Sequence, residues 1–559
     1  MAEGRDPLIL GVNRTQDASI CLMRGSRVVF SIQKERLSRE KHHWGKLDDF
    51  RNVYHRLVNG VQGPIDVVVE GYSSDREFDK LPDYERELVE TLSMSPDCRR
   101  VRISHHLSHV YSVFHPSPFD SAAVMIVDGQ GSPASQFTED WPDSQRAEPH
   151  WREVASFYRA DRSRVECLGK QLWKGGDARP VGLGMFYFLL TQAMFPGEGN
   201  EGKVMGLAPY GDPDALGLPP LEVNGCEVQI PDAWLAILRE RPRFRWDAEH
   251  QERFTDAANL SAAGQRAFEE ALLALSRWLH QQTGLENLCF AGGTGLNCSA
   301  NDRLLRESPF SRLFIPPAPS DAGTSVGCAV YGLTEVLGQS CEWRWDSDYM
   351  GPAPEAAEIE AALAGADDLV IDQPADLQQA MVDLLVDRKV VGLFNGPSEF
   401  GPRALGHRSI LGDPRDGVIR DWINARVKER EWFRPLAPVV LLEHAHRFFD
   451  MKRPSPFMQF AAPVLPEAAP LIPAVTHVDG TARLQTVGEN DDPFLRGLIE
   501  KFAERTGVPV VLNTSFNRKE EPIVESPAEA LRSFRRTPMH ALAMPPFLIR
   551  KKVEPEPVA

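Results

Sequence analysis

At 559 residues the chain is long enough for two or more domains, each with an ample core. Its 79 acidic residues outnumber 62 basic ones for a net charge of −17, which argues against a surface built to coat nucleic acid. Eight cysteines without a CxxC pair, no signal-peptide core at the start and no apolar run near the roughly 20 residues that span a bilayer predict a cytoplasmic protein without a membrane partner.

The opening reads as a strand meander, with apolar runs at residues 8–13, 19–23 and 28–33 and a turn at Arg24-Gly25-Ser26. The run Lys34 to His43 follows, and Lys34, Arg39 and Lys41 are cations suited to a polyphosphate. Further on, Ser104 is placed to cap a helix that carries His105, His106 and His109. His105 and His109, four residues apart, fall on one face and can hold one metal ion. The apolar run 122–127 then delivers Asp128 at a strand end, before Gly129 and Gly131. In the segment 201–211 Lys203 adds a cation among glycines, and an alanine-rich helix is expected over residues 263–282. A third glycine turn contains Gly292, Gly293 and Asn297, and Asp321 supplies a further oxygen ligand beside His105, His109 and Asp128. Mixed imidazole and carboxylate ligation suits Fe(II), Zn or Mn. Strand, glycine turn and helix used repeatedly is how a duplicated actin-like or sugar-kinase-like α/β fold builds a nucleotide cleft.

Near Tyr349 the character changes. Gly351-Pro352-Ala353-Pro354 is linker-like, a helix is expected over 355–364, another over 377–387 with Asp376 as N-cap, and a strand over 390–395. The expected domains are 1–350 and 351–559, with a disordered tail over 554–559. The second domain concentrates cations and small polar groups: Arg403, Arg408 and Ser409, then Lys428 and Arg434, Arg483, and Asn513 with Ser515. Paired Arg residues grip phosphate bidentately, and Asn and Ser satisfy an amide-like group, so a small anionic substrate is expected.

Six motifs occur in one order: His-His-x-x-His, Asp-Gly-x-Gly, Glu-Gly-Lys-x-Met-Gly-Leu-Ala-x-Tyr-Gly, Phe-Gly-Pro-Arg-Ala-Leu-Gly, His477 to Thr486, and Asn-Thr-Ser-Phe-Asn at 513–517. Together they resemble the O-carbamoyltransferases of nodulation-factor and antibiotic tailoring, of the nebramycin 5′ synthase type, over residues 8–545. The resemblance implies an actin-like N-terminal domain similar to threonylcarbamoyl-transferring enzymes and a YrdC-like α/β C-terminal domain. It implies an ATP-dependent enzyme that makes carbamoyladenylate from carbamoyl phosphate and passes the carbamoyl group to the hydroxyl of a small-molecule acceptor. His105, His109, Asp128 and Asp321 would hold Fe(II) or another divalent metal, with Mg2+ as a companion of ATP. Arg403, Arg408, Ser409, Lys428, Arg434, Arg483, Asn513 and Ser515 would line the carbamoyl-phosphate and nucleotide site. Asp17, His106 and Lys203 are the candidates for catalysis.

The chain departs from the pattern at Gln16, where the family has His, at His407, where Asn is common, and at Glu520, which replaces a Gly. The beginning and the run 34–46 look closest to the ansamycin-tailoring members, with aromatics of the segment 151–173, Phe157 and Tyr158 among them, read as core or, alternatively, as an acceptor opening. Competing readings are carbamoylation of an aminoglycoside or other acceptor, tRNA threonylcarbamoylation, a hydrogenase-maturation carbamoyl carrier, whose CxxC motifs are missing here, and a non-enzymatic ATP-binding scaffold.

Overall fold

The computed structural model describes residues 5–50, 63–72, 81–247, 249–519, 521–553 and 555–558, so Glu520 lies outside the described residues. The chain divides into two compact units, Met1–Ser38 with His42–Asp346 and Arg39–Lys41 with Ser347–Ala559.

The first unit holds two five-stranded sheets of the same design. In one, β1 (Leu8–Asn13), β2 (Ser19–Arg24) and β3 (Arg27–Gln33) form the expected antiparallel meander, and β4 (Ile65–Tyr72) and β5 (Met94–Ser104) add in parallel on the other side of β1. The other repeats that pattern. Here β6 (Ser121–Val127), β7 (Arg152–Asp161) and β8 (Arg164–Trp173) are antiparallel. A two-stranded ribbon, β9 (Glu222–Asn224) with β10 (Glu227–Gln229), comes between in sequence, and β11 (Asn287–Ala291) and β12 (Arg312–Phe314) add in parallel beside β6. The orders β3-β2-β1-β4-β5 and β12-β11-β6-β7-β8 are therefore equivalent, and the expected duplication is present. Residues 122–127 of β6 are all buried, as a strand covered on both faces requires.

Each sheet feeds a helix from its fifth strand. After β5 comes α1 (His105–Val113), the long α2 (Phe254–Thr283) precedes β11, and α3 (Thr324–Tyr331) follows β12. Helices α1 and α3 pack against each other at glycine: a Cβ on Gly327 would lie 1.8 Å from the Ser108 carbonyl oxygen. That backbone approach brings the start of α1 and the loop before α3 together.

The second unit is a mixed eight-stranded sheet. Its strands are β13 (Leu369–Asp372), β14 (Val391–Phe394), β15 (Arg408–Gly412), β16 (Ala437–Leu441), β19 (Gln485–Val487), β20 (Val510–Ser515), β21 (Ala541–Met544) and β22 (Phe547–Lys551). They run in the order β13-β22-β21-β14-β15-β20-β16-β19, and β17 (Ala461–Pro463) with β18 (Thr481–Arg483) make a separate pair. One core packs α4 (Leu377–Val386) and α5 (Pro493–Thr506) against the sheet through Val382, Leu385, Leu498 and Phe502, and a second holds Trp422, Phe516 and α6 (Pro527–Arg536) through Phe534. Burying each such side chain contributes about 1.5–3 kcal/mol. Asp376 caps α4 as expected, accepting the Gln379 N–H. The tail differs from expectation: Val558 packs against a core and Glu556 pairs with Arg426. Apolar anchoring there outweighs the disorder that its Pro and Glu content suggests.

Candidate functional site

In the first unit four side chains from three segments converge. His105 and His109 present Nε2 atoms 3.2 Å apart from one face of α1. His105 Nε2 lies 3.0 Å from Asp128 Oδ2 and 3.3 Å from Asp321 Oδ1. His109 Nε2 is 3.9 and 4.0 Å from the same oxygens. Asp128 follows β6 and Asp321 opens the turn before α3, so both carboxylates come from the second repeated sheet and both imidazoles from the helix after the first. Both imidazoles are fully buried.

This donor set fits a divalent cation. Two imidazole lone pairs and two carboxylates turned onto one point suit Fe(II), Zn or Mn. Without an ion the charges settle differently. Burial opposes the His105 cation, but Asp321 and Asp128 raise its pKa well above the ordinary value. Burial and then the neighbouring His105 push His109 down to about 3. The two carboxylates are held in place by their own contacts: Asp128 Oδ1 accepts the Gly293 N–H at 2.9 Å, and Thr15 Oγ1 donates to Asp321 Oδ2 at 2.8 Å.

The glycines expected at a nucleotide site shape this loop. Gly292 has φ +99°, and a Cβ there would sit 2.2 Å from the Val127 carbonyl oxygen. Asn297 caps the following helix by accepting the Ala300 N–H and bonds Gln265. Ser104 stands at the expected N-cap of α1, yet its side chain makes no cap bond; Ser132 Oγ takes the His105 N–H at 2.9 Å in its place.

Of the expected catalytic groups, Asp17 is partly exposed and its Oδ1 lies 2.7 Å from His42 Nδ1. An imidazole therefore does reach this aspartate, from position 42 rather than 16. Asn13 Nδ2 donates to the main-chain oxygens of both Asp17 and Asp321, at 3.1 and 2.9 Å, tying that loop to the four-residue cluster. His106 is fully buried with Nδ1 2.7 Å from Ser156 Oγ, and burial followed by Lys170 lowers its pKa well below the usual value. Lys203 is half-buried, with Nζ 5.7 Å from the centre of the Phe195 ring.

The second unit gathers cations. Lys428 is buried, and its Nζ donates to Ser515 O, Ser515 Oγ, Asn517 O and Asn517 Oδ1 at 2.6–3.1 Å. Burial, then Arg430, Lys41 and Arg434, push its pKa well below that of a free lysine. Arg430 is lowered in the same way by burial, Arg434 and Arg483. Arg434 is lowered by burial and Arg483 against the opposing Glu431. Lys41, Lys428, Arg434 and Arg483 thus act on one another, together with Arg430.

Other expected ligand-binding residues are occupied in holding the backbone. Arg408 is fully buried, donates to the carbonyls of Asn395, Gly396 and His407, and lies over the Phe394 ring at 3.8 Å. Ser409 Oγ accepts the Gly406 N–H, and Asn513 donates to Ala404 O and Gln485 Oε1. Arg39 donates to the carbonyls of Pro522 and Ile523. Lys34 is buried, with its main bond to Lys46 O at 2.6 Å. Arg403 is half-buried on the loop before β15. Phe157 and Tyr158 are fully buried in β7 and form core rather than an acceptor opening. Sequence reasoning missed Thr15, Asn13, Ser132 and His42; of these only His42, inside the basic run 34–43, had a signal in its neighbours.

A family model described as carbamoyltransferase N-terminus matches residues 84–330, and one described as carbamoyltransferase C-terminus matches residues 382–551. The chain belongs to the carbamoyltransferase family. It is 34% identical to nodulation protein NolNO of Sinorhizobium fredii, covering 96% of this chain and 79% of that protein. It is 35% identical to nodulation protein NolO of Bradyrhizobium diazoefficiens, covering 80% of this chain and 79% of that one. The crystal structure of HypF from T. kodakarensis aligns at a TM-score of 0.39 and 15% identity over 60% of this chain and 48% of that one, a likeness too slight to carry an argument. Among the described residues no helix is long and apolar enough to cross a membrane.

Proposed function

We propose that this carbamoyltransferase is an ATP-dependent O-carbamoyltransferase acting on a hydroxyl of a secondary metabolite of the ansamycin macrolactam type. Carbamoyl phosphate, one water and ATP give carbamoyladenylate, phosphate and pyrophosphate. The acceptor oxygen then bonds to the carbamoyl carbon, the bond from that carbon to the phosphoryl oxygen breaks, and AMP departs with the electron pair. The observation that carries the reading is the pairing of a cation-seeking centre in one unit with an anion-seeking cluster in the other.

In this scheme the second unit, with the YrdC-like domain expected over residues 351–559, binds carbamoyl phosphate and ATP. Arg403, Lys428, Arg434 and Arg483 neutralise phosphoryl charge, while Arg408, Ser409 and Asn513 hold the loops that carry them. Ser515 positions the Lys428 ammonium. Lys41 adds charge to the same cluster, which Arg39 fixes to the backbone. The actin-like first unit, with its domain expected over residues 1–350, carries out the transfer. Its His105, His109, Asp128 and Asp321 would hold Fe(II), which stabilises negative charge on the carbamoyl oxygen or the acceptor oxygen. Asp17 is open enough to meet an acceptor, and with His42 bonded to it we assign it the acceptor proton. His106 stiffens the helix of the metal ligands. Lys203 and the turn of Gly292, Gly293 and Asn297 serve the departing nucleotide, Lys34 supports the loop around it, and Mg2+ accompanies the ATP phosphates.

The test is turnover of the purified protein with ATP, carbamoyl phosphate and a panel of hydroxylated acceptors that includes descarbamoyl ansamycins, followed by mass spectrometry. The expected product gains one carbamoyl group and needs both cosubstrates. His109→Ala is expected to stop transfer while pyrophosphate release continues, and Arg403→Ala to stop pyrophosphate release. Equal loss of both half-reactions in either folded variant refutes the division of labour.

A further inference from the structure

Lys170 on β8 is fully buried, although its neighbours in the strand give no hint of a charged interior. Its ammonium meets Glu153 Oε2 at 2.7 Å, Glu139 Oε1 at 2.9 Å, Ser156 Oγ at 3.0 Å and Tyr158 OH at 3.0 Å, and Phe137 closes over it at 4.6 Å. Desolvation works against this charge, but Glu139 and Glu153 raise the lysine pKa well above its ordinary value. A buried ion pair of this kind is a poor source of stability, since an apolar replacement of the same volume commonly does as well. Its placement therefore calls for another reason.

The reason lies at the first turn of α1. Glu153 Oε1, the oxygen that does not meet Lys170 most closely, accepts the N–H of His106 at 2.9 Å and of Ser132 at 3.2 Å. Ser132 in turn accepts the His105 N–H. Ser156, which also receives the Lys170 ammonium, lies 2.7 Å from His106 Nδ1. The first-turn N–H groups of the metal-ligand helix, which Ser104 leaves to others, are thus satisfied by one carboxylate and one hydroxyl from β7 and the loop after Asp128. The same set holds Gly131 close: a Cβ there would lie 2.6 Å from Glu153 Cγ and 2.9 Å from His106 Cδ2. Asp128, three residues before Gly131, is a ligand itself.

We propose that Lys170 and Glu153 are positioning residues for the metal centre, clamping the start of α1 to the loop after Asp128 so that His105, His109 and Asp128 keep one geometry. Lys170 neutralises Glu153, and Glu153 holds the two backbone segments that bear three of the four ligands. Glu139 belongs to the same charge cluster but accepts no N–H from α1, so it balances charge without setting the ligands. The proposal rests on the reading of the four-residue centre as a metal site.

The test uses full-length protein and Co(II), whose visible absorption reports ligand geometry, with affinity measured by competition against a chelator. Glu153→Gln keeps the size of the side chain and is expected to fold, to bind Co(II) about 10–100-fold more weakly and to alter the band shape, the range typical of groups that orient metal ligands. Lys170→Met is expected to do the same, and Glu139→Gln to leave affinity and spectrum unchanged. Should Lys170→Met fail to fold, the contrast between Glu153→Gln and Glu139→Gln still decides. A folded Glu153→Gln protein with wild-type affinity and spectrum overturns the proposal, as does an equal loss in Glu139→Gln. Wild-type protein that binds no Co(II) overturns the metal reading itself and the proposal with it.

Discussion

In the proposed metal site a divalent ion must displace one proton from the cluster of His105, His109, Asp128 and Asp321, and Asp321→Asn should loosen that proton. His109 is held neutral with its pKa near 3, and Asp128 is held well below the ordinary carboxylate value, burial being outweighed by His105 and His109. Asp321 is raised by burial while His105 pulls it back, so His105 and Asp321 share a single proton whichever of them carries it. Metal ligation needs the imidazole lone pair and the carboxylate, so binding expels that proton. Wild-type affinity should then rise tenfold per pH unit near neutrality, equivalent to about 1.4 kcal/mol for each unit. At 3.3 Å the attraction between His105 and Asp321 is of order 5 kcal/mol with an effective dielectric of about 20, the largest favourable influence on the His105 cation. Asp321→Asn deletes that attraction, leaves burial and the Asp128 contact in place, and should lower the His105 pKa. The variant is expected to bind metal more weakly, through a lost ligand, and with a shallower dependence on pH. Calorimetry in buffers of different ionisation enthalpy counts the protons directly. Wild-type binding without proton release, or a variant that keeps the wild-type pH slope, refutes the charge assignment.

Two further outcomes follow from buried charges elsewhere. Arg434→Met relieves repulsion on Arg430, whose pKa is lowered by burial, Arg434 and Arg483, so the ligand-free protein should melt higher while losing its stabilisation by pyrophosphate. In the wild type that stabilisation is about 2.7 kcal/mol at a hundred times the dissociation constant, and a variant still fully protected by pyrophosphate would contradict the role of Arg434. His115 is buried with its pKa pushed down to about 4 by desolvation, Arg162 and Arg344. Its contribution is present above pH 6.5 and lost as pH falls toward 4, because the unfolded chain then binds a proton that the folded one refuses, a difference of about 3 kcal/mol. Denaturant titrations of His115→Asn should show a flatter decline across that window, and an unchanged decline would refute the assignment.

Much of the first unit was legible because its signals are local. Apolar runs ending in glycine turns gave the meander and the strand before Asp128, and a four-residue histidine spacing put two ligands on one face of α1. Asp376 as a cap was equally local. What sequence could not show are partners far along the chain. Arg408, Arg39 and Lys34 read as phosphate-gripping cations, yet their donors go to main-chain carbonyls that only the folded loops bring near. Ser104 has the right residue type and position for a cap, but Ser132, 27 residues after His105, accepts the His105 N–H in its place. Phe157 and Tyr158 alternate across a strand covered on both faces, so their aromatic character went to packing.

The two units carry opposite electrostatic faults, and both faults point to ligands. The centre of the first unit collects acceptors: two carboxylates and two imidazoles face one point, where one shared proton is all that separates them. The cluster of the second collects donors, and Lys428, Arg430 and Arg434 all sit below their ordinary pKa values because burial and neighbouring cations oppose their charge. Packing alone would select against each, since natural sequences keep local choices consistent with the fold and depart from that mainly at functional sites. A cation resolves the first fault and a phosphoryl anion the second. The proposed reaction, donor activation through phosphate chemistry and transfer at a metal, needs both, and the acidic balance of the whole chain makes the basic cluster a local feature rather than a consequence of composition.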